Sequence, residues 1–102
     1  MKTIYKYPVG KDVHHNSVIE IEMPKGARIL DIQMQNGEPM LWAIVNPKHS
    51  LRKRVFHVFG TGFDMDDYDK KHYEYVKTIQ KVHISTPSKS VWMVWHIFEV
   101  IE

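Results

Sequence analysis

The stretch that decides the fold is ARILDIQMQNGEPMLWAIVN, residues 27–46, which predicts a β-hairpin. Two strand-like runs, residues 27–35 and 38–46, flank Asn36 and Gly37. Asn-Gly is the pair that two-residue type I′ turns prefer, because both turn positions need a positive φ. The two runs are therefore expected to pair antiparallel.

This turn also fixes the register of the hairpin. A two-residue loop places Ile32 opposite Leu41 and Leu30 opposite Ala43, so that side of the hairpin is expected to enter the core. Since side chains alternate along a strand, every second residue of residues 38–46 lies on the opposite side of the hairpin. The apolar residues on that side are Met40, Trp42 and Ile44.

Strand-like runs continue on both sides of this hairpin, at residues 3–7, 17–23, 55–59, 75–85 and 90–101. A four-residue loop at residues 86–89 pairs residue 85 with residue 90. Residues 64–74 are the one helix-like piece, with acidic residues early and lysines later. The pattern predicts a single all-β, mainly antiparallel domain over residues 1–102. Its expected form is a small sandwich or open barrel of about six or seven strands, with at most one short helix near residues 64–74.

The composition narrows the function classes. There is no cysteine among the 102 residues, which excludes disulfides, thiolate zinc sites and a cysteine nucleophile. The net charge of +2 is far from that of a dedicated nucleic-acid binder. We find no signal-peptide or membrane-spanning run, so the expected location is the cytoplasm, without a membrane partner.

Sequence motifs that mark catalytic or ligand-binding sites in other proteins are incomplete in this chain, because required residue types are missing. The glycines of Gly60-Thr-Gly62 are followed by Met65 where a dinucleotide fingerprint needs a third glycine. The acidic run that begins at Asp64 has Tyr75 where a calcium loop needs Glu. None of the serines lies in a GxSxG elbow. We therefore predict no catalytic residues, no metal site, no cofactor and no enzymatic activity.

Two mixed aromatic surfaces are the candidates for binding. The candidate interface residues are Met40, Trp42, Ile44, Trp92, His96 and Phe98. On the second hairpin the outer side is expected to carry Lys77, Ile79, Lys81 and His83 beside Trp92, His96 and Phe98. Lysine stems can shield aromatic rings there, or another subunit can cover them. A third interpretation is an anionic-ligand surface formed by Lys77, Lys81, His83 and Trp92.

Several stretches together resemble one protein family, and they are Tyr5-Lys-Tyr-Pro8, Ile21-Glu-Met-Pro-Lys-Gly-Ala27, Gln33-Met-Gln-Asn-Gly37 and Val94-Trp-His-Ile-Phe-Glu99. The chain is similar to the DUF7352 type, short proteins of unknown function encoded by bacteriophages and prophage-bearing bacteria. The resemblance implies a phage protein made in the host bacterial cytoplasm, and it transfers no site residue.

The leading hypothesis is a non-catalytic phage accessory protein that binds a host protein or its own copies, inhibiting a host process or defence. The second is a binder of small anionic ligands that sequesters nucleotides. The third is a binder of single-stranded nucleic acid through the same cationic and aromatic residues.

Overall fold

The computed structural model describes residues 1–10, 12–86 and 89–101, and it describes the side chains of all of these except residues 81–86 and 89–92. Within this part of the chain there are seven strands and one short 3-10 turn. The strands are β1 (Thr3–Pro8), β2 (Val18–Pro24), β3 (Arg28–Gln35), β4 (Glu38–Val45), β5 (Leu51–Gly60), β6 (His72–Thr86) and β7 (Lys89–Ile101).

The strands form two antiparallel sheets. The small sheet has the order β1-β4-β3, and the large sheet has the order β2-β5-β7-β6. Apolar side chains from both sheets meet in one buried cluster whose fully buried members include Met23, Ile32, Leu41, Phe56, Val58 and Ile97. The predicted all-β, mainly antiparallel architecture is confirmed.

The β3–β4 hairpin has the predicted turn. Asn36 and Gly37 have φ values of 52° and 78°, as a type I′ turn requires, and Ile32 pairs with Leu41. Farther from the turn the prediction is wrong, because a β-bulge between Ile29 and Asp31 shifts the register. Ile29 then lies opposite Ala43, and Leu30 is left 43% exposed.

The β6–β7 hairpin also has the predicted register near its tip, where Ser85 pairs with Ser90. The ladder closes one pair further, at Thr86 and Lys89. The expected loop residues 87 and 88 lie outside the described residues. A bulge on β6 between Gln80 and Val82 then reverses the side that residues 77–80 occupy, and a second bulge between Tyr75 and Lys77 reverses it back. Ile79 is therefore buried opposite Trp95, although it was expected on the outer side.

Two further segments position the surfaces. β5 begins at Leu51, earlier than the expected residue 55, because the basic residues that follow pair with β2. The segment between β5 and β6 contains only the 3-10 turn Tyr68–Lys70, in line with at most one short helix. In the described part of the chain, no helix has the length and apolar character needed to cross a membrane.

Candidate interaction surfaces

The outer side of the small sheet has an apolar strip along its central strand. Met40, Trp42 and Ile44 of β4 alternate with the buried residues of the same strand, and all three are half-buried. Ile4 of β1 lies opposite Ile44 and is 56% exposed. We call Ile4, Met40, Trp42 and Ile44 the small-sheet face. The three β4 residues predicted as an interface therefore share one solvent-accessible surface.

Polar groups frame the small-sheet face and hold its strands together. The Lys6 ammonium on β1 donates a 2.9 Å hydrogen bond to Gln35 on β3, so this lysine stem crosses the central strand. Asp31 on β3 lies opposite Trp42 and accepts a 2.8 Å hydrogen bond from the Gln33 amide. The polar side chains around the apolar strip are therefore satisfied, and the Lys6 stem lies across part of the strip.

Lys77 lies away from the anionic-ligand surface proposed for it. Its register partner is Ile97, which is buried between the sheets, and its ammonium is 2.9 Å from an Asp31 carboxylate oxygen. The hydrogen bond from Lys77 holds the pKa of Asp31 below its usual range. The expectation that Lys77 shares a side of the sheet with His83 is wrong, because the bulge between Gln80 and Val82 lies between them.

The other members of that surface are placed by backbone register alone. His83 lies opposite Trp92, near the tip of the β6–β7 hairpin, and the bulge between Gln80 and Val82 falls at Lys81. The side chains of Lys81, His83 and Trp92 are outside the described ones.

The outer side of the large sheet carries an aromatic cluster. Phe98 of β7 has ring centroids within 5.5–5.9 Å from Phe59, Tyr68 and Tyr75. His57 stacks on Phe59, with centroids 4.2 Å apart and planes 21° apart. Both β5 residues are buried on this outer side, which shows that the chain's own 3-10 segment and loops cover it. Phe98, predicted as an interface residue, is thus largely occupied by contacts within the chain.

His57 is the polar centre of this cluster. Its Nε2 lies 3.1 Å from the Asn16 side-chain oxygen, which can only accept, so Nε2 carries the proton. Nδ1 then accepts from the Tyr73 hydroxyl at 3.1 Å. Burial lowers the pKa of His57, and the nearby Lys71 ammonium lowers it further, so the ring is held neutral.

His96, the other predicted interface histidine, lies between two hydroxyl groups. Its Nε2 is 2.7 Å from the Thr61 hydroxyl and its Nδ1 is 2.9 Å from the Thr78 hydroxyl. The Tyr75 hydroxyl extends the chain, 2.8 Å from that of Thr78. These partners orient the ring, and the described contacts bring no carboxylate to it that would make it a general base.

A polar cleft of about 410 Å³ opens where β3 and β6 approach one another. At its floor the Arg54 guanidinium makes a bidentate ion pair with Glu99, one bond being 2.8 Å, and a 2.8 Å bond to the Ala27 carbonyl. The hydrogen bonds that Arg54 donates to Glu99 raise the pKa of Arg54. Since the charges satisfy one another, the pair joins two neighbouring strands of the large sheet rather than offering a free ligand group, and the bond to Ala27 ties Arg54 to the residue that precedes β3.

Sequence reasoning missed the aromatic cluster and the Arg54–Glu99 pair. A pattern was present for each. His57 and Phe59 are two residues apart and so lie on one side of β5. Arg54 and Glu99 each continue the every-second-residue pattern of buried positions along their own strands. Because the partners come from different strands, only the sheet order could bring them together. Among the described residues, no group of three or more histidine, aspartate or glutamate side chains could hold a metal ion.

The comparisons with known proteins bear on the family alone. A family model described as a domain of unknown function (DUF7352) matches residues 1–102. No curated protein and no solved structure matches the chain.

Proposed function

The chain belongs to the DUF7352 family, and we propose that it is a non-catalytic module that binds another protein through the small-sheet face. The observation that supports this most directly is the partly exposed apolar strip along the central strand of a sheet. Exposed apolar patches framed by polar groups are typical of protein-binding sites.

The contrast between the two outer sides strengthens the choice of surface. On the large sheet, the Tyr68 ring packs against Phe98, which in turn packs against Phe59. On the small sheet, the described residues that frame the strip leave Ile4 more than half exposed. A tryptophan at the centre of such a strip is the residue type most often found to dominate binding energy.

The partner that we propose is a protein of the bacterial host. Under this proposal the chain is encoded by a phage, is made in the host cytoplasm, and acts there by blocking a host process or defence. The support is the resemblance to phage-encoded proteins described above together with the exposed face.

The ligand-binding alternatives receive less support from the geometry. The ammonium of Lys77 is bound to Asp31, on the side of the sheet away from His96 and Phe98. An anionic nucleotide would therefore have to compete with a carboxylate for that cation. For this reason we favour a protein partner over a nucleotide or a single nucleic-acid strand.

The experiment is capture followed by quantitative binding. Tagged protein is incubated with host lysate, the captured protein is purified, and its dissociation constant is measured for the wild type and for Trp42→Thr. Threonine suits a strand but removes the large apolar surface. We expect binding to weaken by about 30-fold or more, since central tryptophans typically contribute at least ~2 kcal/mol.

Val18→Thr is the matched control, because Val18 is an exposed apolar strand residue of the large sheet. It should change the dissociation constant by less than about twofold. Thermal melting of both variants establishes that each is folded. An unchanged affinity for Trp42→Thr would overturn the proposal.

A further inference from the structure

Strand β7 continues well beyond its neighbour β5. The ladder between them ends where Gly60 pairs with Trp95, whereas the ladder between β7 and β6 runs on to Lys89. After Gly60 the chain turns, with the Phe63 amide bonded to the Gly60 carbonyl and Gly62 at a φ of 85°. In the described ladders, residues 89–94 of β7 therefore pair with β6 only, and no described strand pairs with their other edge.

The residues along this edge have the composition that is typical of a central strand. They read SVWMV, residues 90–94, and four of the five are apolar. No Asp, Glu, Lys or Arg occurs between Lys89 and Glu99. Strands of this composition are normally paired on both edges. A long apolar edge without charge, proline or bulge is a site where strands of another chain add.

By contrast, the four edge strands of the two sheets carry features that prevent pairing with another chain. β1 carries Lys6 and ends at Pro8, while β2 carries two glutamates and ends at Pro24. β3 has a charged aspartate and a bulge, and β6 has two bulges and a lysine next to one of them. Charges, prolines and bulges of this kind are how proteins prevent edge-to-edge association. The edge at residues 90–94 is different from all four.

We propose that the β7 edge at residues 90–94 pairs antiparallel with the same segment of a second copy of this chain. Identical strands that pair antiparallel generate a two-fold axis, so each copy makes the same contacts. The segment contains no charged residue, so self-pairing brings no like charges together. The result is a continuous four-stranded ribbon with the order β6-β7-β7-β6.

A second copy would stabilise the end of the β6–β7 hairpin by adding strands to it. A two-stranded ribbon alone is marginally stable in water, and three or more strands are needed for independent stability. Residues 80–86 and 89–94 form such a ribbon where β5 has ended. Pairing of two ribbons supplies the missing strands from the same sequence. This inference is independent of the small-sheet face.

The test uses the absence of cysteine from the chain. A single cysteine is introduced in turn at each of residues 90–94, and disulfide dimers formed in dilute oxidant are measured on non-reducing gels. Directly opposed residues in an antiparallel pair have Cβ atoms about 4.5–5.5 Å apart, close to disulfide geometry. One position, at the two-fold axis, should cross-link at least tenfold faster than the controls.

Two controls give the background rate. Ser85→Cys lies on β6, directly across the ladder from Ser90, and Glu22→Cys lies on the protected edge strand β2. Sedimentation of the wild-type chain over a concentration series should show a monomer–dimer equilibrium. Equal cross-linking rates at all positions, or a wild-type monomer throughout the series, would refute the proposal. Trp42→Thr should dimerise as the wild type does, which separates this result from the protein-binding proposal.

Discussion

Removing Glu99 is expected to destabilise the sandwich severely, because it leaves the buried charge of Arg54 without its partner. In the folded chain the Arg54 side chain is 23% exposed and the Glu99 side chain 9% exposed, and their charged groups are joined by two hydrogen bonds. Breaking a buried ion pair by deleting one partner typically costs about 3–5 kcal/mol. Arg54 keeps its bond to Ala27 and some contact with water, so we expect Glu99→Leu to cost about 3 kcal/mol, the lower end of that range.

The paired replacement is the decisive variant. Arg54→Met together with Glu99→Leu removes both charges while keeping apolar volume between the sheets. Buried ion pairs replaced in this way are often neutral in stability or better. We therefore expect the double variant to lie within about 1 kcal/mol of the wild type, which makes it more stable than either single variant.

Urea unfolding at neutral pH measures all four proteins of the cycle. The exposed pair Lys53 and Glu20, 3.1 Å apart with side chains 58% and 55% exposed, is the matched control. Loss of that surface pair should change the free energy of unfolding by no more than about 1 kcal/mol. If the Arg54 and Glu99 replacements simply add, without coupling, the two residues do not act as an ion pair and the argument fails.

Two further predictions concern the aromatic cluster and the first turn. Burial lowers the pKa of His57 below its usual 6.5, so the unfolded chain binds the proton more readily. The free energy of unfolding should therefore decrease as the pH falls through 6.5, and His57→Gln should flatten that dependence in urea titrations; parallel curves would contradict it. At Gly37, where φ is 78°, Gly37→Ala should cost about 1 kcal/mol and Gly37→Asn less, since asparagine tolerates a positive φ. Equal thermal stability of these two variants would count against the turn assignment.

The parts of the fold that the sequence predicted are those governed by local chemistry. Asn36 and Gly37 demand a particular turn, and that turn sets the pairing of Ile32 with Leu41. The bulge at Leu30 left no trace in the pattern, because Ile29 and Leu30 are both apolar and either could face inward. Bulges are decided by how a strand twists against its neighbours, which alternation alone does not encode.

The candidate surfaces show the same division between local and long-range information. Met40, Trp42 and Ile44 were grouped correctly, because one strand brings them together. The expected association of Lys77 with the outer aromatic residues depended on an unbroken register over many residues of β6. One bulge, between Gln80 and Val82, lies between the turn and Lys77, and it reverses the side that Lys77 occupies. A register error therefore grows with distance from the turn that anchors it.

The two proposed contacts use different parts of the sandwich, and this has a consequence for binding strength. The small-sheet face is an apolar surface on β4, whereas the proposed self-contact lies along a backbone edge of β7. A dimer formed through β7 would carry two small-sheet faces related by a two-fold axis. Two linked sites raise the effective local concentration of a repeated or multimeric partner, so avidity can exceed single-site affinity by roughly 10²–10⁴-fold. A pair of small faces can in this way bind tightly without a large interface on either copy.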